Sequence, residues 1–210
     1  MPLPDPTELL ARTPVVPVLT IERLADAVPL ARALVAGGLP VLEVTLRAPV
    51  ALDAVQAIVS EVAQSIVGVG TVTEVPDIRL ALSARARFLV SPGTPPQLTA
   101  ALAQAPVPVL PGCATVSEAM ALAAHGFPVV KFFPAEAAGG LNFLKAIAAP
   151  LPNLKFFPTG GIDQRNASAY LALPNVVAVG GSWVAPKEAV ATRDFARITK
   201  LAREAAKLKR

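Results

Sequence analysis

Cysteine and histidine are almost missing from this chain; each occurs once, as Cys113 and His125. A lone cysteine excludes an internal disulfide, and one histidine with no cysteine cluster beside it supplies no ligand set for zinc or iron. His125 stands before Gly126 at the end of a helical stretch, where an imidazole meets unpaired carbonyls, so it reads as structural. Long apolar runs are missing too. Hydrophobic residues make up 53% of the chain, yet polar, charged, Gly or Pro residues break every stretch before the roughly 18 residues that a membrane span needs. The opening Met-Pro-Leu-Pro-Asp-Pro has neither a basic n-region nor an apolar h-region. No secretory signal is expected, and the expected location is cytoplasmic. Aromatic residues are only 5% and form no stacking set among the basic ones.

The formal net charge of +4 is unevenly placed. From Arg193 to Arg210 seven basic residues face two acids, a net +5, which leaves residues 1–192 at −1. The basicity therefore belongs to one terminal helix. Its apolar positions Phe195, Ile198, Leu201, Ala205 and Leu208 recur at helical spacing, so one face docks and the charges are solvated. A nucleic-acid partner is not expected.

What the chain does have is alternation. Strand-like runs at Val15–Leu19, Val41–Leu46, Ile66–Gly70, Phe88–Val90, Val107–Leu110, Val129–Phe132, Lys155–Pro158 and Val176–Val179 are separated by stretches of helical spacing. These include Leu24–Ala36, Ala51–Ala63, Val75–Ala84, Pro96–Ala103, Val116–Ala124 and Asn142–Ala148. Eight βα units imply a parallel sheet and fit an α/β fold of the (β/α)8 TIM-barrel type, with a short extra helix within Pro4–Arg12. A doubly wound open sheet is the alternative, weakened because no Gly-x-Gly-x-x-Gly follows the first strand. No linker or low-complexity tract interrupts the chain, so residues 1–210 are expected to form one domain.

In a barrel, chemistry belongs at the C-terminal ends of the strands. Strand two reads Leu42-Glu43-Val44-Thr45-Leu46-Arg47, apolar on one face and polar on the other. The sixth strand carries Lys131 between Val130 and Phe132, sharing a face with Val129 and Phe133. Poor solvation there favours the free amine over the ammonium, as Schiff-base chemistry requires. A lysine whose stem packs while its amine reaches water is the plainer reading of that segment alone. An inward Glu43 and an inward Lys131 need partners, and strands two and six have the same parity, so the two can share a layer. A purely structural ion pair would leave Arg47, Thr71 and the glycine-rich strand ends unexplained. Thr159-Gly160-Gly161 and Gly180-Gly181-Ser182 follow strands seven and eight, where backbone N–H groups can approach a phosphate.

Taken in order, these stretches resemble the 2-dehydro-3-deoxy-phosphogluconate (KDPG) and 4-hydroxy-2-oxoglutarate aldolases, pyruvate-forming class I enzymes of the Entner–Doudoroff route. The resemblance runs from about Pro14 to Arg203. It rests on Leu34-Val-Ala-Gly-Gly38, Val41-Leu-Glu-Val-Thr-Leu-Arg47, Val69-Gly-Thr71, Ser91-Pro-Gly93, Lys131-Phe-Phe-Pro-Ala-Glu136, Pro158-Thr-Gly-Gly-Ile162 and Gly180-Gly-Ser-Trp183. It implies that Lys131 forms the Schiff base and Glu43 is the general acid/base. Arg47 and Thr71 would hold the pyruvyl end, with Pro92 and Phe133 lining the site. Thr159 would meet the hydroxyl-bearing carbons, and Gly160, Gly161, Gly181 and Ser182 the distal phosphate. It further implies a phosphorylated 2-keto acid substrate, pyruvate as product, no cofactor or metal, and a homotrimer. Cys113 departs from the family, which commonly has a branched apolar residue there.

Three rivals stay open at this level. The same chemistry could act on the galactonate epimer or on unphosphorylated 4-hydroxy-2-oxoglutarate. An isomerase or synthase could use Lys131 only as a charge. A non-catalytic ligand-binding barrel would need Lys131, Glu43 or Arg47 absent or misplaced.

Overall fold

Short, valine-rich segments buried on both faces build two parallel sheets in the computed structural model, which describes residues 3–209. In chain order the elements are α1 (Thr7–Leu10), β1 (Val15–Leu19), α2 (Leu24–Ala36), β2 (Val41–Thr45), α3 (Ala51–Glu61), β3 (Ile66–Gly70), α4 (Val75–Ser83), β4 (Leu89–Val90), α5 (Pro96–Leu102) and β5 (Val109–Leu110). There follow β6 (Gly112–Cys113), α6 (Val116–Ala124), β7 (Val129–Phe132), α7 (Gly140–Ala148), β8 (Lys155–Pro158), α8 (Ala167–Leu171), β9 (Val179–Gly181), α9 (Lys187–Ala191) and α10 (Phe195–Ala206).

Six strands pair in the order β5-β4-β3-β2-β1-β9, and three in the order β6-β7-β8. Single parallel bridges join Phe156 to Val176 and Thr159 to Gly180, linking β8 to the β9 segment. The fold is thus α/β with parallel strands in a curled sheet. Proline explains the break at the other edge. The expected fifth strand, Val107–Leu110, is realised as the short β5 on β4, and a further short strand, β6 on β7, follows it after Pro111. Pro111 has no N–H to give either neighbour, but its carbonyl accepts from Lys131 N at 2.8 Å.

Side-chain alternation sorts the strands into two cores. Leu42, Val44, Val130 and Phe132 join the large cluster beneath the helices. Val16, Val41, Phe88, Val90, Leu110, Val129, Phe157 and Ala178 form a smaller cluster on the opposite face, joined by Leu9 and Leu10 of α1. That smaller cluster is the floor on which the polar residues of β2 and β7 stand. Helix α10 docks as its spacing requires, with Ile198, Ala202 and Ala205 buried and Thr199 Oγ1 donating to Ala33 O of α2 at 3.1 Å.

Some boundaries differ from expectation. Strand β2 stops at Thr45, so Leu46 and Arg47 lie in the following turn. The last strand reaches Gly181 and leaves Val176 with only its bridge. Helices α8 and α9 have five residues each, too few for a helical period to register in sequence. His125 Nδ1 lies 2.9 Å from Ala121 O at the end of α6, the structural place its neighbours suggest. No helix among the described residues is long and apolar enough to cross a membrane.

Candidate active site

Lys131 Nζ lies 3.0 Å from Glu43 Oε1 and 3.4 Å from Oε2, with side-chain exposures of 6% for the lysine and 1% for the glutamate. Strand geometry brings these distant positions together. Glu43 shares its face with Val41 and Lys131 shares its face with Val129, both over the small apolar core. The room is made by β3. A Cβ on Gly70 would overlap the Glu43 carboxylate, so only glycine lets that side chain lie across the sheet. Lys131 Nζ also sits 5.6 Å from the centroid of the Phe133 ring, a cation–π distance. Isolated, each charge would be very costly to bury; together they form a proton donor and acceptor within transfer distance.

The pair stands in a cleft of about 790 Å³. Every residue singled out from the sequence lines it: Lys131, Glu43, Arg47, Thr71, Pro92, Phe133, Thr159, Gly160, Gly161, Gly181 and Ser182. Arg47 is exposed at the rim, and its Nε donates to Thr45 Oγ1 at 3.1 Å. Thr45 Oγ1 in turn donates to Leu19 O at 2.9 Å and lies 3.1 Å from Thr20 Oγ1. Thr71 has a φ of +62°, rare for a β-branched residue and costing about 1–3 kcal/mol. Strain of that kind persists where the surrounding structure over-determines it, here directly after β3 at the cleft wall.

The opposite wall is backbone. Gly160 and Gly161 have φ of +101° and +77°. Thr159 Oγ1 is buried without a hydrogen-bond partner, packed over Gly180. A hydroxyl left unpaired in this way costs about 1–3 kcal/mol, and it faces a cleft in which a ligand oxygen could take it up. Cys113 is buried on the strand next to Lys131, and burial, reinforced by the Glu118 charge, pushes its thiol up to about 12. It stays a neutral packing group at working pH.

Sequence reasoning left several residues here without a role. Thr45 was visible as an inward polar residue, but its bond to Arg47 depends on the turn after β2. Thr20, Arg23 and Lys187 also line the cleft and carry no pattern that marks them. Glu136 and Tyr170 meet in a hydrogen bond behind Gly161, a contact between residues 34 positions apart.

Known proteins of one family are similar to this chain. Residues 7–201 match the family model for KDPG and KHG aldolases. The chain is 49% identical to the KHG/KDPG aldolase of Escherichia coli strain K12, over 94% of this chain and 92% of that protein. It superimposes on the KDPG aldolase of Legionella pneumophila, captured with pyruvate as a covalent carbinolamine, with a TM-score of 0.94 and 44% identity, covering 96% of this chain and 98% of that one. The Zymomonas mobilis ZM4 2-keto-3-deoxy-6-phosphogluconate aldolase, solved with 3-phosphoglycerate, gives a TM-score of 0.92 and 45% identity, covering 97% and 96%.

Proposed function

The chain belongs to the KDPG and KHG aldolase family, and we propose that it cleaves 2-dehydro-3-deoxy-6-phosphogluconate into pyruvate and D-glyceraldehyde 3-phosphate through a Schiff base on Lys131. The observation that carries this reading is the buried contact of Lys131 Nζ with Glu43 Oε1 at 3.0 Å. It puts a nucleophilic amine and a carboxylate side by side on the floor of a cleft.

The Lys131 amine adds to C2 of the keto acid to give a carbinolamine. Glu43 shuttles the protons that let water leave, and an iminium forms. The Glu43 carboxylate then takes the C4 hydroxyl proton. The C3–C4 bond breaks, and its electron pair flows into the iminium, leaving an enamine and free glyceraldehyde 3-phosphate. Protonation at C3 and hydrolysis release pyruvate and restore the amine. Arg47 presents a planar fork to the carboxylate, steadied by Thr45. Thr71 shares that end, with Pro92 and Phe133 as walls. Thr159 supplies its unpartnered hydroxyl to the hydroxyl-bearing carbons. Gly160, Gly161, Gly181 and Ser182 take the phosphate, in keeping with the phosphoglycerate-bound relative.

The same reading extends to 4-hydroxy-2-oxoglutarate as a further substrate, since the E. coli relative is named for both activities. It also takes residues 1–210 as one domain, a (β/α)8 barrel closed through Pro111 and the β8–β9 bridges. A cytoplasmic homotrimer completes it. Exposed Val75 and Leu80 on α4, with Val116 and Met120 on α6, offer apolar surface for subunit contacts.

Incubation with pyruvate and sodium borohydride, followed by peptide mass spectrometry, tests the proposal. A reduced pyruvyl adduct on Lys131 is expected. Folded protein that forms no adduct would sink the Schiff-base reading and return Lys131 to a purely electrostatic role.

A further inference from the structure

We propose that Glu136, anchored by Tyr170, is a positioning residue that sets the Gly160–Gly161 turn for the distal phosphate. This deepens the reading of that turn as the phosphate site and rests on it. Glu136 follows the strand that carries Lys131, yet it is absent from the cleft wall, so any effect on substrate passes through its neighbours. Those neighbours are the turn itself. Glu136 N donates to Gly160 O at 3.1 Å, and Ala135 N donates to Thr159 O at 2.8 Å. The Glu136 side chain lies so close under Gly161 that a Cβ there would stand 2.6 Å from its Cγ and 2.7 Å from its Cβ.

A glutamate on an exposed segment does not hold such a place by itself. Tyr170, fully buried on α8, donates its hydroxyl to Glu136 Oε1. Burial first, and the Glu136 contact second, hold that phenol well above its ordinary range, so it remains a donor at any working pH. Gly140 closes the arrangement. With φ of +54°, its missing Cβ would come 3.0 Å from the Tyr170 hydroxyl and 3.2 Å from Glu136 Oε1. From the other side, Asn166 Nδ2 donates to Gly161 O at 3.1 Å, and Asp163 N donates to Asn166 Oδ1 at 2.9 Å. Both carbonyls of the turn are therefore tied back into the protein. The Gly161 N–H donates to no acceptor among the described residues, while Gly161 itself lines the cleft. An amide held free in this way suits an anion, and the Glu136–Tyr170 pair is what holds it from the β7 side.

The test separates the two ends of the substrate. Wild type, Tyr170→Phe, Glu136→Ala and Glu136→Gln are compared for KM and kcat with the phosphorylated 2-dehydro-3-deoxy acid. The phosphate-free readout is the pyruvate concentration that gives half-maximal borohydride trapping on Lys131. Tyr170→Phe and Glu136→Ala are expected to raise the phosphorylated substrate's KM roughly tenfold, about the effect of misplacing one charge-assisted hydrogen bond, and to leave pyruvate trapping unchanged. Glu136→Gln keeps an acceptor for Tyr170 and is expected to restore most of the loss. Equal losses in both readouts would reduce the pair to general structural support, and no change in either would remove it from the site; each overturns the proposal. Absence of any adduct in wild type would overturn the Schiff-base reading itself, a separate failure.

Discussion

The two ends of the cleft are built from different materials. At the end proposed for the keto acid, Glu43 of β2 and Lys131 of β7 meet side by side and are nearly inaccessible to solvent. At the end proposed for the phosphate the lining is glycine-bearing turns, with Gly161 and Ser182 exposed and two glycines at positive φ. Strands hold reacting atoms to the tolerance that bond making demands, whereas an anion needs only converging donors. Damage to the first end should therefore appear in kcat, and damage to the second in KM.

The largest expected effect is at Lys131. Lys131→Arg keeps a cation against Glu43, so the core is not left with an unpaired buried carboxylate. It removes the amine that can form an iminium. Turnover should fall on the order of 10⁴-fold or more, with no pyruvate adduct. Activity within about tenfold of wild type would show that a charge suffices there, and the distinction between the ends would collapse. Glu43→Gln comes next. It preserves the shape beside Gly70 and removes the proton acceptor, so kcat should drop about 10²- to 10⁴-fold with the phosphorylated substrate's KM little changed.

Gly161→Ala attacks the other end. The new side chain meets both a φ of +77° and Glu136 Cγ at 2.6 Å. Strain of about 1–3 kcal/mol can be relieved by moving the turn, which carries the amides away from the phosphate. The phosphorylated substrate's KM should rise at least about tenfold while kcat stays within a few-fold. A fall in kcat with KM unmoved would mean that the glycine turn takes part in the chemistry and that the contrast is drawn in the wrong place.

The same contrast decides what could be read from the sequence. Glu43 and Lys131 are legible because a strand has period two, so a charge among Leu42, Val44, Val129 and Val130 declares which face it occupies. The succession of parallel strands is legible for the same reason. The further short strand after Pro111 is not, because a proline at a change of partner looks like any strand end. The glycine turns are readable as a phosphate site from their place after the last two strands, whereas the role of Thr71 is implied only by family resemblance. Glu136 and Tyr170 had no signal beyond a shared motif for the first. Their contact depends on how the α8 helix returns to the loop after β7, which no local period encodes.

The smallest effect is expected at a loop belonging to neither end. Glu118 accepts from Ala114 N at 2.8 Å and Thr115 N at 2.9 Å, while Thr115 Oγ1 accepts from Glu118 N at 3.2 Å, a capping box that starts α6. The Ala114 amide bond chiefly holds this carboxyl below its ordinary 4.5; slight burial opposes it and the Thr115 bonds assist. A carboxyl with its folded value depressed adds stability above its unfolded value, and that contribution disappears as pH falls through the folded one. Urea unfolding of Glu118→Gln should therefore show a loss under about 1 kcal/mol at neutral pH, solvent screening keeping it small. The gap from wild type should narrow as pH falls below 4.5 and through the depressed folded value. Neither KM nor pyruvate trapping should move. If trapping weakened, the α6 loop would have to be counted with the keto-acid end, through Cys113 and its pairing beside Phe132 on the strand that carries Lys131.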